Sequence, residues 1–153
     1  MAELNFTEKE LENRETMPWK DERCEAITGG ENKNRFLLYQ LKYSMMNADR
    51  IDIIVSFLME SGVRMLLKDL QRALERGTRI RILTGNYLGI TQPGALYLIK
   101  DALGDQIDLR FYKEKERSFH PKAYIFHKKE FGEIYIGSSN VSRSALTSGI
   151  EWN

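Results

Sequence analysis

The chain has 153 residues, room for one domain with a real apolar core. Its 23 basic and 22 acidic side chains leave a net charge of +1, which excludes a whole-surface polyanion binder but allows a local basic cleft. The single Cys24 forbids an internal disulfide and fits a reducing, cytoplasmic setting; no apolar run reaches the roughly 18 residues of a membrane span, and the start MAELNFTEKELENRE lacks the features of a signal peptide.

Residues 1–30 are polar and carry Pro18 and the pair Gly29-Gly30. They read as a loosely structured leader with at most one short helix, ahead of a domain over 31–153. Across 31–47, Phe36, Leu37, Tyr39, Gln40, Leu41 and Tyr43 fall near helical spacing. Ile51 to Leu58 is a short apolar run rich in β-branched residues, the pattern of a buried strand. From Ser61 to Arg76, Val63, Leu66, Leu67, Leu70 and Leu74 recur every three or four residues, so this is an amphipathic helix, with Gly77 at its C-terminal stop.

Arg79 to Thr84 reads as a second strand, and Pro93 suits a helix start. Ala95 to Leu103 is helical and ends at Gly104; Ile107 to Tyr112 is a third strand. This alternation implies a largely parallel sheet covered by helices. Ser118 to His127 and Glu133 to Ser138 form a hairpin around Lys128 to Gly132, followed by a short helix over Ser142 to Thr147. Ile150-Glu151-Trp152-Asn153 looks like the start of a further strand, the pattern of a piece cut from a longer protein.

The chemistry concentrates in His120-Pro121-Lys122 and Gly137-Ser138-Ser139-Asn140. Side chains alternate along a strand, so His120 and Lys122 share a face. An ammonium beside an imidazole suits a phosphate: lysine neutralises an oxygen and the ring can attack phosphorus. A hairpin would carry Ser138 and Asn140 beside that pair. Gly137 would let backbone approach the anion, and the helix starting near Ser142 would aim its N–H groups there. Glu151 lies opposite Ile150 and Trp152 in strand parity, so it could face the site.

His120-x-Lys122 followed by Gly137-Ser138-x-Asn140 resembles the HKD motif of the phospholipase D superfamily. The tail Asn140-Val-Ser-Arg-Ser-Ala-Leu-Thr-Ser-Gly-Ile-Glu-Trp-Asn resembles the phospholipase D-like modules of bacterial superfamily 2 helicases and related restriction nucleases. The resemblance implies an α/β fold with a mixed, largely parallel β-sheet flanked by helices on both faces. It also implies a metal-independent, cofactor-free phosphodiesterase, a nuclease with DNA preferred to RNA. His120 would form a phosphohistidine, Lys122 and Asn140 would hold phosphoryl oxygens, and Glu151 would orient the histidine. Ser138, Ser139 and Arg143 are the expected substrate contacts. One motif copy implies a homodimer with the site at its interface.

The sequence departs from the pattern at His127, which stands where the family has Asp. Strand parity puts it on the face opposite His120, so it reads as a supporting surface residue. Lys113, Lys115, Arg117, Lys128 and Lys129 could rim a nucleic-acid backbone, but a solvated charge run is the commoner reading. Ser56, Thr84 and Tyr87 lie at carboxyl ends of parallel strands, where ligands gather in open α/β sheets; a purely structural role is preferred for each. Trp19 and Trp152 read as core or interface residues. Two other functions compete: a phosphate-gripping module without turnover, and a lipid phosphodiesterase, which would need an interfacial apolar loop that the sequence lacks.

Overall fold

The computed structural model describes residues 27–114 and 116–153; the expectations for residues 1–26, with Trp19 and Cys24, and for Lys115 lie outside them. The elements in chain order are β1 (Ile27–Thr28), α1 (Leu37–Met46), β2 (Arg50–Val55), α2 (Glu60–Glu75), β3 (Arg79–Thr84), α3 (Pro93–Leu103), β4 (Ile107–Phe111), β5 (Lys122–His127), β6 (Gly132–Ile136), α4 (Arg143–Leu146) and β7 (Glu151–Trp152). A five-stranded sheet runs β4-β3-β2-β5-β6, and β1 pairs with β7 in a separate two-stranded ribbon.

The main sheet is mixed. β2, β3 and β4 are parallel, while β5 is antiparallel to both β2 and β6. Local chemistry fixes the helix ends. Pro93 opens α3, and Gly104 closes it with φ 60°. Gly77 follows α2 in the left-handed region, φ 85°, as the sequence predicts. The N-terminal N–H of Glu60 finds a side-chain acceptor in Gln92 Oε1 at 2.7 Å, which ties the start of α2 to the approach to α3.

Alternation along the strands divides the sheet into two unlike faces. Ile51, Ile53, Val55, Ile80, Ile82, Tyr124 and Phe126 point to one side, where they join Val63, Leu66, Leu70, Ala95 and Ile99 of the helices in a single core. The α/β class and the mixed sheet are those the sequence implies, although parallel and antiparallel pairs are equal in number, two of each. The covering differs: the described helices lie on one face, not both. The reason is topological. Successive right-handed crossovers step the same way from β2 to β3 to β4, so α2 and α3 fall on the same side.

The other face carries Ile134 and Ile136, both exposed, and a charged cluster centred on Asp52. Asp52 is buried. Its carboxylate accepts a hydrogen bond from Arg81 Nε, lies 3.2 Å from Arg50 Nε and 2.8 Å from His127 Nε2. Burial pushes the Asp52 carboxyl up, but the hydrogen bonds from Arg81 and His127 and the charges of the two arginines outweigh it, and the group sits below its ordinary range.

A depressed carboxylate pKa adds stability above the unfolded-state value that is lost as pH falls through the folded value. Asp52→Asn is therefore expected to destabilise the fold at neutral pH by about 2 kcal/mol, less than for a fully buried pair because both arginines reach solvent. Urea unfolding of the two proteins should show the gap closing as pH drops below the ordinary aspartate range.

Candidate active site

Strand polarity brings the motif segments to one edge of the sheet. Parallel strands β2, β3 and β4 end there, at Val55, Thr84 and Phe111. Antiparallel β5 begins there, because Lys122 pairs with Val55, and β6 ends there. This is the edge at which open α/β sheets collect ligands.

His120 and Lys122 do come together. Lys122 Nζ lies 2.7 Å from His120 Nε2 and donates to the His120 carbonyl at 3.1 Å. Where the ammonium donates in this contact, Nε2 accepts and the ring proton is then on Nδ1. The setting is not the regular strand that the sequence predicts from Ser118. The ladder starts only at Lys122, since Pro121 has no N–H to give it. Ser56 Oγ, fully buried, donates instead to the Pro121 carbonyl at 3.1 Å and pins the turn to the end of β2.

The two members of the pair differ in surroundings. His120 is exposed and its ring packs against Tyr87, with centroids 4.3 Å apart at 41°. Lys122 is buried with Tyr124 beneath it on the same strand face. Burial lowers the Lys122 pKa, partly offset by the negative charge of Glu151. Burial likewise raises that of Tyr124, whose hydroxyl donates to the Ser139 carbonyl at 3.1 Å.

The second segment arrives by a route that strand parity misjudges. The β5–β6 register, Ala123 with Ile136, sets Lys122 opposite Gly137, so continued alternation would turn Ser138 and Asn140 to the wrong face. The strand stops at Ile136 instead. Asn140, buried, is placed by its own contact: its Oδ1 accepts from the Phe57 N–H at 3.2 Å, leaving the amide nitrogen as the donor end. The bridge between Leu58 and Val141 and the 2.9 Å bond from Met59 N–H to the Val141 carbonyl hold the two segments side by side. Gly62 of α2 lets the helix start touch this loop, since a Cβ there would come within 2.5 Å of Val141 C.

The other expected contacts have different surroundings. Ser138 is exposed and its hydroxyl donates to Glu151 Oε2 while accepting from Trp152 N–H at 3.0 Å. Glu151 thus reaches Ser138, and among the described residues it makes no hydrogen bond to His120. Ser139 is fully buried; its hydroxyl donates to the Ala145 carbonyl at 3.3 Å and accepts from Asn153 Nδ2 at 2.9 Å. Arg143 is exposed at the start of α4. Two of the backbone donors expected to face an anion here are in use: Ala145 N–H goes to Ser142 Oγ and Arg143 N–H to Ser61 Oγ. Gly137 is required by packing, since a Cβ would stand 1.8 Å from the Trp152 carbonyl oxygen.

His127 lies on the opposite sheet face, in the Asp52 cluster, and takes no part in this edge. Thr84 is fully buried, and its hydroxyl has no hydrogen-bond partner among the described residues. Sequence reasoning passes over Ser56 and Tyr87 as structural, although both sit at carboxyl strand ends; it cannot see Phe57, which acts through its backbone. Among the described residues no cluster of His, Cys, Asp and Glu is placed to hold a metal.

An imidazole and a buried ammonium are thus in contact, with a carboxamide fixed at the same sheet edge. The family model described as "Cardiolipin synthase, PLD-like domain" matches residues 41–153. The chain belongs to this phospholipase D-like family, whose members are phosphodiesterases and phosphotransferases. Among solved structures it is similar to the crystal structure of polyphosphate kinase from Porphyromonas gingivalis, at 18% identity and a TM-score of 0.57, over 83% of this chain and 19% of that one. The present chain thus spans about a fifth of that enzyme, and the likeness is one of fold. No curated protein matches.

Two outcomes follow from this geometry. Lysine with a depressed folded pKa leaves the unfolded chain holding more protons in the window up to its ordinary value of 10.5, so its burial penalty is in force below that window and fades as pH rises through it. Lys122→Met is expected to raise the melting temperature at neutral pH, with the difference shrinking as pH rises through that window. Gly137→Ala is expected to cost about 1–3 kcal/mol, as for other overpacked sites, with loss of amide protection at Ser138 and Trp152 in hydrogen exchange.

Proposed function

We propose that the chain is the nuclease module of a larger protein, a phosphodiesterase that needs no metal and works on DNA through a phosphohistidine. The observation that carries the reading is the Lys122 amine 2.7 Å from Nε2 of an exposed histidine. An incoming phosphodiester would take the ammonium onto a non-bridging oxygen and free the nitrogen for attack. His120 Nε2 forms the P–N bond as the P–O bond to the leaving group breaks. The leaving oxygen takes a proton from a second imidazole. Water then attacks phosphorus, gives its proton to that second imidazole, and the P–N bond breaks. Lys122 and the Asn140 amide hold the phosphoryl oxygens throughout.

The second imidazole has to come from another copy of the motif, because His127 belongs to the far sheet face. A two-fold homodimer that sets His120 of one copy against His120 of the next supplies it. Ser138 and Arg143, both exposed near Asn140, would contact the flanking backbone. The host protein would have a helicase or restriction role, and the chain would work in the cytoplasm; the described helices include none long and apolar enough to cross a membrane.

A second reading is a module that grips phosphate without turnover. It is favoured by Glu151, which is bonded to Ser138 and not to the histidine it was expected to orient.

Cleavage of a DNA oligonucleotide in EDTA separates the two, measured with the solution mass of the protein. The nuclease reading expects a dimer whose activity survives chelation and falls by about a thousandfold or more in His120→Ala. It also expects a phosphorylated His120 after rapid denaturing quench. Activity that persists in the variant, or that appears only on adding a divalent metal, rejects the mechanism.

A further inference from the structure

A groove of about 670 Å³ opens beside His120, at the carboxyl ends of β3 and β4. That volume is in the range of pockets for nucleotide-sized ligands. Its walls hold Tyr87, Phe111, Tyr112 and Phe119, with Lys113 and Arg117 on the connecting loop. This is a dense set of aromatic rings for an exposed loop region, and it borders the proposed nucleophile directly: the Tyr87 ring lies against the His120 ring.

The rings are held, not loose. Tyr112 stacks on Phe119, with centroids 4.8 Å apart at 21°. Tyr112 N–H donates to the Thr84 carbonyl at 2.7 Å, which fixes it to the end of β3. Phe119 lies on Gly85, where even a methyl group would meet its Cδ1 at 2.9 Å. At the lip, Leu88 is 79% exposed and has φ 53°, in the left-handed region that non-glycine residues rarely adopt. Glu114 also lines the groove, but its carboxylate accepts from the Glu116 N–H at 3.2 Å and so faces its own loop.

We infer that this groove takes the bases of a single-stranded nucleic acid next to the scissile phosphate. The inference rests on the nucleic-acid reading above and names the strand form. Fixed aromatic faces paired with cations suit stacked bases and the backbone that links them. Bases inside a duplex are already stacked on each other and offer no free face, so an unpaired strand fits better. The contact between Tyr87 and His120 places the first base beside the phosphate under attack.

The test is binding in EDTA, by fluorescence anisotropy, of His120→Ala with two labelled oligomers of equal length. One is oligothymidylate; the other carries the same phosphates on abasic sugars. The expected result is binding about tenfold tighter for the oligomer with bases, the equivalent of 1.4 kcal/mol. Adding Tyr112→Ala should erase that preference, while Tyr112→Phe, which keeps the ring, should retain it and so control for folding. Equal binding of the two oligomers, or a preference that survives Tyr112→Ala, overturns the groove and leaves the nuclease reading intact. No binding of either oligomer overturns both.

Discussion

A lysine amine buried at the first residue of a strand is the constraint around which this sheet edge is arranged. An ammonium out of water needs compensation, and Lys122 obtains it from three sources: the imidazole of His120, the carbonyl of the same residue and the negative charge of Glu151. Each fixes a different piece of chain. The pair of bonds to His120 curls the segment before β5 back over its own start. The field of Glu151 draws on β7, which meets the edge through Ser138 and the glycine beside it. This sheet edge is thus built around an incompletely neutralised cation.

The end of β2 organises the rest. Ser56 grips the Pro121 carbonyl, Phe57 gives its N–H to Asn140, and Leu58 bridges to Val141. Three successive residues therefore set the distance between the histidine segment and the asparagine segment. Ser56 does so through its hydroxyl, Phe57 and Leu58 through their backbone, at a strand end where the ladder has stopped and each amide must find another partner.

This explains what could be read from the sequence and what could not. Period and punctuation were legible: β3 runs over Arg79 to Thr84 as its alternation predicts, and α2 and α3 end at Gly77 and Gly104 as glycine chemistry requires. The pairing of His120 with Lys122 was legible too, although through a turn and not through strand alternation. Parity assigns Asn140 to the wrong face, and its bond from the Phe57 N–H is what sets its place. The register of β5 with β6 and the stop at Ile136 depend on where pairing partners run out, which no local pattern carries. Ser139, expected at the substrate, is committed to Ala145, Tyr124 and Asn153 in the interior, because a hydroxyl that is fully buried is held by whatever partners surround it.

Residue 127 stands apart from the edge that holds His120 and Lys122. Residues 122 and 127 differ in parity, so their side chains leave β5 on opposite faces, and 127 stands at the far end of the strand opposite Arg50. What the residue meets is a buried carboxylate already served by two arginines. An aspartate at that point would add a second negative charge beside Asp52, whereas an imidazole can donate to it. His127 is therefore matched to Asp52 across the β2–β5 pair, and what it contributes falls on the stability of the uncovered face. The imidazole and the ammonium at the other end of the strand keep their relation regardless.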